Sequence, residues 1–211
     1  MITTLNKTFR RVPVWLVYVI GFLPAALTLH AAINNRLGAD PLAALEHESG
    51  IWALRFLIGA LAITPLLRIL RINLMKFRRA LGLLGFYYVT MHLFVWIWLD
   101  HWFAWGRMGA EILKRPFITI GMLAFVILVP LAVTSNNLSV RRLGGDIWRR
   151  VHWWAYVATA LGAVHFLLVV KRWPPEPLIY TAIVAGLLAW RAVRGASTRA
   201  PRDKTRPVKA A

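Results

Sequence analysis

Apolar residues in this chain gather into long runs, separated by short connections rich in Arg and Lys. Six windows of about 20 apolar residues stand out. They lie at roughly 12–33, 51–71, 80–99, 117–135, 151–170 and 177–193. Each is long enough to cross a bilayer's hydrocarbon core as an α-helix, the conformation that satisfies every backbone group internally. The pattern predicts an all-α integral membrane protein, a six-helix transmembrane bundle. Short connections make successive helices antiparallel neighbours. Pro24, Pro65 and Pro130 fall inside spans and are expected to kink them, which membrane helices tolerate. Three parts follow: an N-terminal segment 1–11, the six-helix domain 12–193, and a basic, disordered tail 194–211. Arg10 and Arg11 before an apolar run suggest a secretory signal, but Val12–Ile33 is too long for one, and no clean cleavage site follows. The reading is a retained helix.

Composition sharpens this. The chain has 211 residues, 59% of them apolar, and a formal charge of +18. No polar stretch exceeds roughly 20 residues, so no soluble domain can bury a core of its own. A charge this basic would suit nucleic acid were it not parcelled out between membrane spans; nucleic acid is excluded as a partner, and lipid takes its place. One side of the bundle receives Lys7, Arg10 and Arg11, then Arg68, Arg71, Lys76, Arg78 and Arg79. It also receives Arg141, Arg142, Arg149, Arg150 and a tail beginning with Arg191 and Arg194. The acidic residues Asp40, Glu46, Glu48, Asp100, Glu111 and Glu176 fall on the other side. The positive-inside rule therefore puts both termini in the cytoplasm. Residues 96–105 place four Trp at the opposite interface. They read as an aromatic belt or as a docking surface for a partner outside the membrane.

Chemistry enters with three histidines inside the spans: His92, His152 and His165. An ionisable ring in hydrocarbon is costly and points to function, and imidazole is a standard axial ligand of haem iron. The chain has no Cys. That excludes disulfides, iron–sulfur clusters and thioether-attached haem, so a haem here must be held through nitrogen ligands. His92 lies thirteen residues beyond Arg79, and His165 fifteen beyond Arg150. At 1.5 Å per residue both sit about 20–22 Å from the inner boundary, in the outer half of the bilayer. Two imidazoles at one height on facing helices can ligate one iron from opposite sides. His152 is only about 3 Å inside the boundary, and an ideal helix turns it about 140° away from His165. It belongs either to a second, inner site with an incomplete ligand set or to the lipid interface. His30, His47 and His101 fall at or beyond the outer boundary and read as surface residues. Arg55, one turn inside the second helix, either offers its guanidinium to a haem propionate or snorkels to the interface. Tyr87, Tyr88 and Tyr156 read as core filling.

Six helices, a His on the third and a His-x12-His pair on the fifth resemble the ferric-reductase-like transmembrane superfamily, which includes NADPH oxidases and metalloreductases. The strings Arg-Arg-Val-His-Trp-Trp-Ala-Tyr (149–156), Tyr-Tyr-Val-Thr-Met-His (87–92) and Thr-Ser-Asn-Asn-Leu-Ser-Val-Arg-Arg-Leu-Gly (134–144) narrow the likeness. The chain is similar to the haem-binding membrane subunits of the bacterial MsrPQ methionine sulfoxide reductase system, over nearly its whole length except the basic tail. The resemblance implies haem b in the bacterial inner membrane, with FMN and quinone as associated cofactors. It also implies outward electron transfer to a periplasmic molybdopterin-containing catalytic subunit that repairs oxidised methionines. His92, His152 and His165 correspond to the family's haem-associated histidines. Two-haem oxidases carry a second His on the third helix, where this chain has Arg78 and Arg79. One complete haem site is therefore implied, and the second lacks a ligand.

No dinucleotide-binding fingerprint follows the sixth helix, so electrons are expected from the quinone pool or from a cytoplasmic flavin reductase. On this reading the chain is an electron-transfer subunit rather than the catalytic one. A different class, a proton-coupled transporter or channel, would use the same histidines as a relay. It would call for internal repeats or acidic groups in the span cores, and none is evident. A third possibility, a pure assembly anchor, would make His92 dispensable for activity.

Overall fold

The computed structural model describes residues 2–170 and 174–197. Eight α-helices succeed one another: α1 (Ile2–Arg11), α2 (Val14–Ile33), α3 (Pro41–Leu70), α4 (Arg78–Val95), α5 (Trp105–Lys114), α6 (Pro116–Val133), α7 (Asn137–Val169) and α8 (Pro175–Ser197). Six helical segments are long and apolar enough to cross a membrane: α2, α3, Met75–Asp100 around α4, α6, α7 and α8. The protein is a multi-pass, all-helical membrane protein. The basic tail beyond Ser197 lies outside the described residues.

Two spans start earlier than their apolar runs suggest. Asp40 caps α3, its carboxylate accepting the Ala43 N–H (3.0 Å), and Pro41 occupies the first helical position. The helix thus begins ten residues before the predicted boundary and carries Glu46 and His47 within it. Asn136 likewise caps α7 by accepting the Ser139 N–H (2.7 Å). That helix is interrupted once, at Gly144 (φ 74°, ψ 155°), a conformation essentially reserved for glycine. Pro24, Pro65 and Pro130 each lie within an assigned helix.

Two short helices join the six. α1 covers part of the segment read only as a terminus, and α5 lies between the third and fourth spans. Before α5 the chain leaves α4 through a π-turn, Trp96–Asp100, and a bend with Trp102 and Phe103 at positive φ (47° and 58°).

The closest helix pairings are α3 with α4 and α6 with α7, followed by α7 with α8. Leu57, Leu128, Leu131 and Ala158 form one core, and Leu54, Ala163 and Val184 a second. α4 and α7, by contrast, scarcely approach each other along their backbones. α2 is fastened by Tyr88, whose ring is buried and whose hydroxyl donates to the Gly21 carbonyl (2.7 Å) and accepts the Ala25 N–H (3.0 Å). A side chain inserted between those two groups replaces a rung of the α2 ladder, one of the recognised causes of helix bending.

Candidate functional site

Between α4 and α7, the imidazoles of His92 and His165 face each other with ring centroids 6.2 Å apart and planes at 77°. Neither ring is oriented by a side chain. His92 Nδ1 lies 2.9 Å from the carbonyl oxygen of Glu46 on α3. His165 Nδ1 lies 2.7 Å from the carbonyl oxygen of Phe117, in the first turn of α6. A carbonyl can only accept, so each Nδ1 carries the proton and each Nε2 keeps its lone pair. The Nε2 atoms have no hydrogen-bond partner among the described residues. Such an outer hydrogen bond is how proteins fix the tautomer and angle of a metal-ligating imidazole.

Space for the rings comes from two glycines. A Cβ on Gly121 would sit 2.8 Å from His165 Nδ1, and one on Gly50 would sit 3.3 Å from His92 Nδ1. The first distance is a clash and the second a tight contact, so α6 and α3 must be bare at these points for the rings to lie as they do. The carbonyls of Glu46 and Phe117 and the glycines at 50 and 121 were not singled out from the sequence. Gly121, inside an apolar helical run, was the available signal, because glycine is unfavourable in helix interiors unless close packing needs it; Gly50 falls just before the run at 51–71.

Residues 49–163 match the family described as ferric reductase like transmembrane component. The chain is 49% identical over 181 residues to the protein-methionine-sulfoxide reductase heme-binding subunit MsrQ of Brucella anthropi, covering 86% of this chain and 82% of that one. It is 51% identical over 180 residues to the MsrQ proteins of Brucella ovis and Brucella suis, covering 85% of this chain and 81% of each of those. The chain belongs to the ferric reductase-like transmembrane family, among its MsrQ members. Membership supports a redox role. No solved structure matches the chain.

The remaining residues named from the sequence can be placed against this MsrQ-family frame. His152 is not brought to another histidine. Its Nε2 lies 3.0 Å from Thr134 Oγ1, and Trp148 stacks on its ring at 3.9 Å. The Arg55 Nε donates to Tyr180 Oη (2.7 Å), and its guanidinium lies 4.6 Å over the Trp52 ring. Among the described residues it enters no ion pair with a carboxylate.

One expected surface residue is not on the surface. His101 is only 5% exposed. The π-turn directs it inward under α5, where its ring lies tilted against Trp96 (centroids 4.4 Å apart) and 3.1 Å from Asp100 and 3.6 Å from Glu111. His47 is half-exposed and pairs with Glu176 (3.6 Å), and His30 is exposed beside Asn34. Glu46 differs again: its carbonyl orients His92, while its buried Oε1 has no hydrogen-bond partner.

Proposed function

We propose that this chain holds one haem b between α4 and α7, with His92 and His165 as axial ligands, and passes electrons through it across the bacterial inner membrane. The basic face is cytoplasmic and receives electrons from quinol or from a reduced flavin donor, FMN included. The Trp-rich face is periplasmic and delivers them to a molybdopterin-containing subunit; the names of the relatives support a methionine sulfoxide reductase as that partner.

The observation that carries this reading is the facing pair of imidazoles. Each ring has its Nδ1 engaged by a carbonyl, which would leave its Nε2 free to hold a metal. The ring centroids are 6.2 Å apart. Among the described residues no group of three or more His, Asp or Glu is arranged to hold a free ion. Two imidazoles alone suit a metal that arrives with its other ligands already in a macrocycle. α4 and α7 are not held together by close backbone packing at this point.

A bound haem would supply one-electron chemistry within the hydrocarbon, which no side chain here provides. The chain supplies the rest. Glu46 and Phe117 hold the two ring N–H groups, and so fix which nitrogens point inward. The cores around Leu57 and Leu54 keep water from the span interior. Arg55, which pairs with no carboxylate among the described residues, would offer its guanidinium to a propionate. His152, engaged by Thr134 and Trp148, stays outside this ligand set.

Haem content and absorption spectra of the purified wild type and of His92→Ala, His165→Ala and His152→Ala test the assignment. The first two variants are expected to lose the same low-spin haem and the third to keep it. Equal haem content in all four would refute it. Stopped-flow reduction by a quinol analogue, compared with reduction by a reduced flavin, identifies the donor.

A further inference from the structure

At the basic end of the bundle three side chains from different helices converge without an acid among them. Arg78, the first residue of α4, donates through Nη2 to Tyr156 Oη on α7 (3.2 Å). Arg191, near the end of α8, lies over the face of the same ring, its guanidinium carbon 4.2 Å from the centroid. Tyr156 itself is only 8% exposed.

Two guanidinium groups on one phenol repel each other, and the repulsion grows as water is removed. The phenol oxygen already accepts from Arg78, so what the cluster still offers is donors alone: the other N–H groups of both arginines and the Tyr156 O–H. No ion pair among the described residues includes Arg78 or Arg191. Among the described residues the acids lie elsewhere. Glu176 opens α8 at its far end, Asp40, Glu46, Glu48, Asp100 and Glu111 belong to the Trp-rich end, and Asp146 is taken by Arg149. A partly buried set of donors, with no acid paired to it among the described residues, suits an acceptor-only anion. Guanidinium forks match the oxygens of a phosphate in geometry as well as charge.

We propose that Arg78, Arg191 and Tyr156 form a phosphate-binding site at the basic face of the bundle, open to an anionic phospholipid headgroup or to a soluble phosphate. The site lies near the level of the headgroups, where polybasic clusters attract anionic lipid. It does not depend on the haem assignment.

The test uses the full chain purified in detergent. Native mass spectrometry follows retention of phosphatidylglycerol, and thermal unfolding follows the effect of inorganic phosphate. The wild type is expected to retain the lipid or to be stabilised by phosphate. Arg78→Gln and Arg191→Gln are expected to weaken that binding about tenfold, and Tyr156→Phe several-fold. Arg149→Gln, whose partner is Asp146, serves as the control and is expected to bind as the wild type does. Lipid retention without a phosphate effect assigns the site to a headgroup; stabilisation by phosphate that also displaces the lipid assigns it to a soluble ligand. Should an arginine variant fail to fold, Tyr156→Phe decides, since it removes one hydroxyl and keeps the ring under Arg191. Binding unchanged in Tyr156→Phe and in every folded arginine variant, or no binding of either probe by the wild type, overturns the proposal.

Discussion

At His165 a backbone carbonyl and a missing side chain act together: the Phe117 carbonyl accepts a hydrogen bond from the ring N–H, while Gly121 lets the ring come close enough to donate it. A methyl group at 121 would sit 2.8 Å from Nδ1, so Gly121→Ala must either turn the imidazole or push α6 away. Overpacking of this kind costs about 1–3 kcal/mol. The expected outcome is a protein that inserts into the membrane but binds haem weakly, with a visible spectrum shifted from low-spin. Gly50→Ala, meeting His92 at 3.3 Å, should have a milder effect of the same kind. Gly82→Ala, with nothing within 4 Å, should have none. Haem stoichiometry across the three variants checks the order. His92 and His165 were legible in the sequence because an imidazole in an apolar run is conspicuous, and counting residues from the flanking arginines gives its depth. Their hydrogen-bond partners were not legible. A main-chain carbonyl is the same at every residue, so nothing in the identity of Glu46 or Phe117 announces that its oxygen is the one being used.

Helix boundaries and bends obey a different signal. Asp40-Pro41 is a readable start, an N-cap followed by proline at the first helical position, yet an apolar window passes over it because the next turn holds Glu46, His47 and Glu48. The interior prolines drew attention as kinks, whereas the one non-helical backbone position inside α7 is Gly144. Gly144→Ala should therefore cost about 1–3 kcal/mol and realign the first turns of α7, seen as a lower unfolding temperature with the haem spectrum preserved. α2 offers a second case. Tyr88→Phe keeps the buried ring but leaves the Gly21 carbonyl and the Ala25 N–H without the hydroxyl between them. Leaving such groups unpaired costs about 1–3 kcal/mol. Thermal unfolding in detergent should show that loss, again without change at the haem. His101 was misplaced for a reason at this scale too. Its position relative to the membrane follows from counting residues, but its burial depends on a π-turn and on α5 folding over it, and neither has a strong sequence signature.

For the whole molecule, the six spans and the membrane class follow from hydrophobic run length alone, which is a property of composition over 20 residues and survives errors at single positions. The orientation proposed here rests on where the arginines sit. The Cys-free chain makes it easy to test: a single thiol from Gly109→Cys in α5 should react with an impermeant maleimide added to whole cells, and one from Thr3→Cys in α1 only after lysis. The reverse pattern would invert the direction of electron flow proposed here. What composition could not supply is the relation between α4 and α7, two helices with little direct packing that nonetheless bring two imidazoles into opposition. That relation is open to one direct measurement, the electron paramagnetic resonance spectrum of the oxidised, haem-loaded protein. Imidazole planes crossed at 77° predict a single low-spin ferric signal of the strongly anisotropic kind given by near-perpendicular axial rings, lost in both His92→Ala and His165→Ala. A high-spin signal in the wild type, or a low-spin signal that survives either substitution, would contradict the account.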